Sequence, residues 1–195
     1  MYRLAILFGI FLSFQVFAQD HPDPVTLKPG TEAIDFKLKG VNGEMYSLAS
    51  FDDDRILVII FSAPHCPTAQ AYEDRIKAIQ NDYEDKGIQV VMINPNYPEA
   101  VCLEEMGYTD LDDSFEDMKI RATDMAYNFP FLFDGETEET SIAYGPVATP
   151  HAFVFDENRI LRYVGRIDNS EKIGTATQHD LRNAIDALLA GEEVS

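Results

Sequence analysis

Residues 55–96 constrain the fold more than any other part of the chain. "RILVIIF" (55–61) is a continuous apolar run rich in β-branched residues, the pattern of a strand covered on both faces. In "CPTAQAYEDRIKAIQNDYEDKG" (66–87), Ala69, Tyr72, Ile76, Ile79 and Tyr83 recur at helical spacing, and Lys86-Gly87 supplies a helix stop. "IQVVMINPN" (88–96) is a second buried strand. Strand, helix, strand in this order is a βαβ unit, so the two strands should run parallel with the helix as their crossover.

The rest of the chain builds outward from this unit. "AIDFKLKGVNGEMYSL" alternates apolar and polar residues on either side of Asn42-Gly43, a hairpin signal. Residues 97–113 form a long irregular insertion that contains Cys102. "SFEDMKIRATDMAY" is an amphipathic helix with Ser114 as N-cap and Asp117 three residues on. "FPFLFD" is a short strand, and "ETEETSIAYG" a short helix ended by Gly145. "HAFVFD" and "ILRYVGRID" pair as an antiparallel hairpin, and "TQHDLRNAIDALLAGEE" closes the chain as a helix with Leu181, Ile185, Leu188 and Leu189 on one side. The sum is one α/β domain: a mixed central sheet with helices on both faces and an N-terminal β-hairpin.

The full length of 195 residues suits one domain plus trimmings. "MYRLAILFGIFLSFQVFA" carries Arg3, an apolar run and small residues near Ala18, which predicts a secretory signal over 1–18. An extended arm should follow over 19–28, with the folded domain over 29–192. No stretch is expected to span a membrane, and export places the chain in the periplasm or outside the cell. The net charge of −19 with no basic patch excludes nucleic acid as a partner and reads as a solvated acidic surface, clustered at 52–54, 110–113 and 136–139.

Chemistry concentrates at "FSAPHCPTAQ" (61–70). A cysteine just ahead of a helix faces free backbone N–H groups and the positive end of the helix dipole. Both favour the thiolate, which is the nucleophilic form. Cys66 occupies that place.

The element order, "KPGTEAIDFKLKGVNGEMYSL", "ILVIIFSAPHCP", "VATPHAFVFD" and "LRYVGRID" together resemble the thioredoxin fold in its redoxin form. That group includes alkyl hydroperoxide reductase/thiol-specific antioxidant proteins and extracytoplasmic thioredoxin-like proteins. The resemblance implies a cis bond before Pro150, with Thr149 turned toward Cys66. It also exposes a gap. In the Cys-x-x-Cys pattern the attacking position falls on Ala63 and the resolving position on Cys66, so Ala63-Pro64-His65-Cys66 cannot cycle as a local disulfide. The peroxidatic pattern departs too. Its Thr falls on Ala63, its upstream Pro on Ile59, and no Arg occurs in 147–151.

The resemblance implies a thiol-dependent oxidoreductase or antioxidant protein with a single active-site cysteine and weakened activity. Its substrate would be a disulfide or thiol protein or a small peroxide. Cys102, 36 positions beyond Cys66, is the only other cysteine and the candidate resolving thiol, with two unbridged thiols expected at rest. The alternative is a non-catalytic module that holds a polypeptide or a metal ion in the groove around Pro150. No cofactor is expected and no metal site is assigned; His65, Cys66 and His151 are the only candidates for one.

Overall fold

The computed structural model describes residues 25–98 and 111–194. Its centre is β3 (Ile56–Phe61), in which all six residues are buried. On one side β3 pairs in parallel with β4 (Ile88–Asn94), from Ile56↔Ile88 to Phe61↔Ile93. The crossover is α1 (Pro67–Tyr83), so the βαβ unit forms as the sequence dictates. Gly87, at φ +75°, makes the left-handed turn that sends the chain back into β4.

The remaining strands extend the sheet in both directions. The hairpin at Asn42-Gly43 joins β1 (Leu38–Gly40) to β2 (Met45–Tyr46), and Gly43 at φ +87° permits the turn. β5 (Phe131–Phe133) lies between β1 and β4, parallel to β4. β6 (His151–Phe155) lies antiparallel to β3, and β7 (Leu161–Gly165) antiparallel to β6. The order across the sheet is β2-β1-β5-β4-β3-β6-β7. The fold is the thioredoxin fold expected from the element order.

Period-two alternation divides the central strands between two cores. Ile56, Val58 and Ile60 pack with Ile76 and Ile79 of α1, with Met118 of α2 (Phe115–Asp124), and with Leu181 and Ile185 of α4 (Asp180–Ala190). Leu57, Ile59 and Phe61 pack on the other face with Tyr144 of α3 (Glu139–Tyr144), Phe51, Phe153 and Phe155. Each buried side chain of this kind contributes roughly 1.5–3 kcal/mol, so one charge placed at Ile59 would break the sheet's centre. Ser114 caps α2 by accepting the Asp117 N–H at 3.2 Å, and Gly145 ends α3 in a left-handed conformation, both as anticipated.

The acidic residues correct one expectation. Glu73, Asp113, Asp134 and Asp168 are buried, not part of the solvated surface. Glu73 on α1 accepts from Arg121 Nε at 2.9 Å, Arg121 Nη2 at 2.7 Å and Tyr127 Oη at 2.7 Å, tying α1 to α2. Asp168 accepts Arg75 Nη1 at 2.7 Å and Tyr72 Oη at 3.2 Å, tying α1 to the loop before α4. Each such carboxylate is buried with its donors in place, as burial of charge demands. Among the described residues, no helix is long and apolar enough to cross a membrane.

Candidate active site

The register places the site. Phe61, the last residue of β3, lies opposite His151, the first of β6. The turn that leaves β3 and the turn that enters β6 therefore meet at one edge of the sheet. The first turn runs Ser62-Ala63-Pro64-His65-Cys66, with the Cys66 N–H donating to the Ala63 carbonyl at 3.2 Å. Pro67 then begins α1, which suits proline because the first helical N–H has no intrahelical partner.

Cys66 is the N-cap residue of α1, extended at φ −74° and ψ 116°. Its side chain caps no backbone N–H. Sγ instead donates across the cleft to the Thr149 carbonyl at 3.5 Å. The Thr149–Pro150 bond is cis. Three residues singled out in the sequence, Cys66, Thr149 and Pro150, thus come together. Position 63, where the resemblance puts the attacking cysteine, is an alanine and is buried. Ala63 is 2% exposed, whereas Cys66 is partly exposed, so Cys66 is the more accessible of the two. Cys102 lies outside the described residues.

Two histidines flank the thiol and are held in opposite tautomers. Asp113, at 0% exposure, accepts the His65 backbone N–H at 3.1 Å through Oδ1. Its Oδ2 takes His65 Nδ1 at 2.7 Å and Asn96 Nδ2 at 2.6 Å. A carboxylate that accepts at Nδ1 puts the proton there and leaves Nε2 as the acceptor of His65. Asn94 Nδ2 donates to the Asp113 carbonyl at 2.9 Å, which fixes the residue from the end of β4. His151 is the reverse case. Its Nδ1 accepts the Val147 N–H at 3.2 Å, so the ring carries its proton on Nε2. Burial pushes the His151 pKa below its ordinary value. His65, Cys66 and His151 do not assemble into a metal cluster: among the described residues, no group of three or more His, Cys, Asp or Glu side chains is placed to hold an ion.

Asp113, Asn94 and Asn96 are the site residues that sequence reasoning missed. Asp113 sat at the end of an acidic cluster, and nothing local marks it as buried. The one available signal is that it directly precedes the Ser114 cap, where the chain must turn inward to start α2.

A model of the AhpC/TSA family matches residues 29–164. The chain belongs to that family. Among curated proteins, this redoxin is similar to the thioredoxin-like protein YneN of Bacillus subtilis, 23% identical over 162 residues that cover 83% of this chain and 81% of that one. It is also similar to the thiol-disulfide oxidoreductase ResA of Halalkalibacterium halodurans, 22% identical over 99 residues. That alignment covers 50% of this chain and only 56% of ResA. Among solved structures, an uncharacterized conserved protein from Geobacillus kaustophilus superposes with a TM-score of 0.75 at 34% identity, covering 86% of this chain and 85% of that one.

Proposed function

We propose that this redoxin is an exported, single-thiol exchange protein in which Cys66 is the reacting group. The observation that carries the proposal is the contact between Cys66 Sγ and the Thr149 carbonyl, with the thiol partly exposed at the start of a 17-residue helix. The helix N-terminus favours negative charge on sulfur. The turn at Thr149–Pro150 offers backbone groups to an extended substrate strand beside it.

In the step we assign, the Cys66 thiolate attacks one sulfur of a substrate disulfide. The substrate S–S bond breaks, a Cys66 mixed disulfide forms, and the other substrate sulfur leaves as a thiolate. Release then needs a second thiol, and Ala63 cannot supply it. An external low-molecular-weight thiol, or Cys102, completes the exchange. The same gap weakens peroxide chemistry, because position 63 has no hydroxyl and 147–151 no guanidinium to polarise a peroxide.

A second reading, a module that binds an extended polypeptide without chemistry, draws on Val147, 74% exposed next to the Thr149 turn. The two separate in one experiment. In dithiothreitol the wild-type chain should reduce insulin disulfides only slowly, because every turnover waits on dithiothreitol to release the Cys66 mixed disulfide, and Ala63→Cys should raise that rate. A variant that binds insulin but stays at background favours the non-catalytic module.

A further inference from the structure

The Thr149 carbonyl reaches the thiol only because the 147–150 turn is held, and its hold includes a titratable group. Val147 N–H donates to Nδ1 of His151, four residues on, and closes the turn across its mouth. A backbone N–H can only donate, so Nδ1 must be unprotonated for this bond to exist. In a neutral imidazole with its proton on Nε2, the Nδ1 lone pair is also the one site that takes up a second proton. The Val147 bond and the proton therefore compete for the same electron pair, and they exclude each other.

We propose that His151 is a positioning residue for Cys66: its Nδ1 holds the 147–150 turn against the thiol, and proton uptake by that same nitrogen releases the turn. The proposal rests on the reading of Cys66 as the reacting thiol. The surroundings of the ring are apolar. Phe153 lies at 5.0 Å from it, Phe61 faces it in register on β3, and Tyr144 packs on both of those phenyl rings. Tyr144 holds its proton far above neutrality through burial, so it brings no charge. On the far side, β7 pairs with β6 at Ala152↔Gly165, and the next residue, Arg166, is exposed and bound to Asp180 at 2.8 Å. On the turn itself, Cys66 is the titratable group across the Thr149 carbonyl. Burial is the cause of the depressed His151 pKa.

The sign follows. A histidine held neutral in the fold resists protonation, so the turn stays closed above the usual imidazole midpoint of about 6.5 and opens only as pH falls below it. In the closed turn Sγ donates to the Thr149 carbonyl at 3.5 Å, and attack by the sulfur must first break that contact. Release removes that donor contact and speeds attack by Cys66. The factor is about fivefold, the population shift that one hydrogen bond of ordinary net strength produces.

The test uses the full chain and two readouts, from about pH 8 to about pH 4, the span across which histidine changes charge. The first is nuclear magnetic resonance of the Val147 amide and the His151 ring nitrogens. The second is the rate of Cys66 alkylation by iodoacetamide in wild type divided by the rate in His151→Asn. Asparagine accepts through Oδ1 but does not titrate, and the ratio cancels the thiol's own ionisation. We expect Val147 and His151 Nδ1 to titrate with one shared midpoint below 6.5. We expect the rate ratio to rise by about fivefold through that midpoint, as loss of one hydrogen bond implies. A Val147 amide that does not move while His151 titrates overturns the proposal, as does a flat ratio. If His151→Asn does not fold, the Val147 titration in wild type alone decides it. A Cys66 that stays unmodified at every pH instead refutes the reading of Cys66 as the nucleophile, while the Val147 result still stands or falls separately.

Discussion

Asp113→Ala should be the most costly single change near the site. The carboxylate has no solvent exposure and receives three donors: the His65 backbone, the His65 ring and the Asn96 amide. Hydrogen bonds to a charged group are worth about 1.5–3 kcal/mol each when one partner is removed and the other stays buried. That ceiling is not reached here, because His65 is 20% exposed and Asn96 is partly exposed, so water can take up two of the vacated donors. The backbone N–H of the tight turn is the hardest to resolvate. A net loss of about 3 kcal/mol follows, the low end of what breaking a buried pair costs. Asp113→Asn should lose about 1–2 kcal/mol, because Oδ1 still takes the His65 N–H while a neutral amide replaces the charge. The chain has no tryptophan, so urea unfolding is best followed by far-ultraviolet circular dichroism. The midpoint should fall with the slope unchanged. A loss for Asp113→Ala of under about 0.5 kcal/mol, the range of ordinary surface substitutions, would refute the assigned role of Asp113 as the anchor of the turn.

Burial pushes the Tyr163 phenol up to about 12, and raises Tyr127 and Tyr144 further still. The fold keeps these protons, so the stability they contribute is complete below about pH 10 and is lost as pH climbs from 10 toward 12. Phenolate absorbance from all three should appear only together with unfolding; full ionisation near pH 10 with the circular dichroism intact contradicts this. Peptide mapping of native-host protein without reductant should return Cys66 and Cys102 unlinked and a chain starting near Gln19. A quantitative Cys66–Cys102 peptide would instead favour a resolving role for Cys102, and an intact Met1 would end the export proposal.

Local patterns made most of the fold legible. An unbroken apolar run could only be the doubly covered β3, Asn42-Gly43 fixed a hairpin, and Ser114 with Asp117 marked the start of α2. The 3₁₀ turn at Leu48–Phe51 was not anticipated, because alternation through "MYSL" reads as strand, whereas β2 ends at Tyr46. The site was legible at Cys66, whose place between a buried strand and a helix is a local fact. Its partner Thr149 lies 83 positions away and came only through family resemblance. Glu73 and Asp113 were missed for the same reason. Their donors, Arg121 and His65, are each 48 positions distant, and no local pattern shows that a carboxylate will be met by a partner from another element. The burial of Ala63 was likewise invisible, since alanine is at home on either side of a surface.

The central claim is that Cys66 attacks while position 63 supplies no thiol to release what it captures. A single-thiol site of this kind should trap its substrate. Mixing the reduced chain with a disulfide peptide in the absence of other thiols, then digesting and sequencing by mass spectrometry, tests this directly. The account predicts one peptide bound per chain through Cys66, stable until an external thiol is added, and absent in Cys66→Ser. Capture at Cys102 with Cys66 left free, or no adduct on the folded chain, contradicts it.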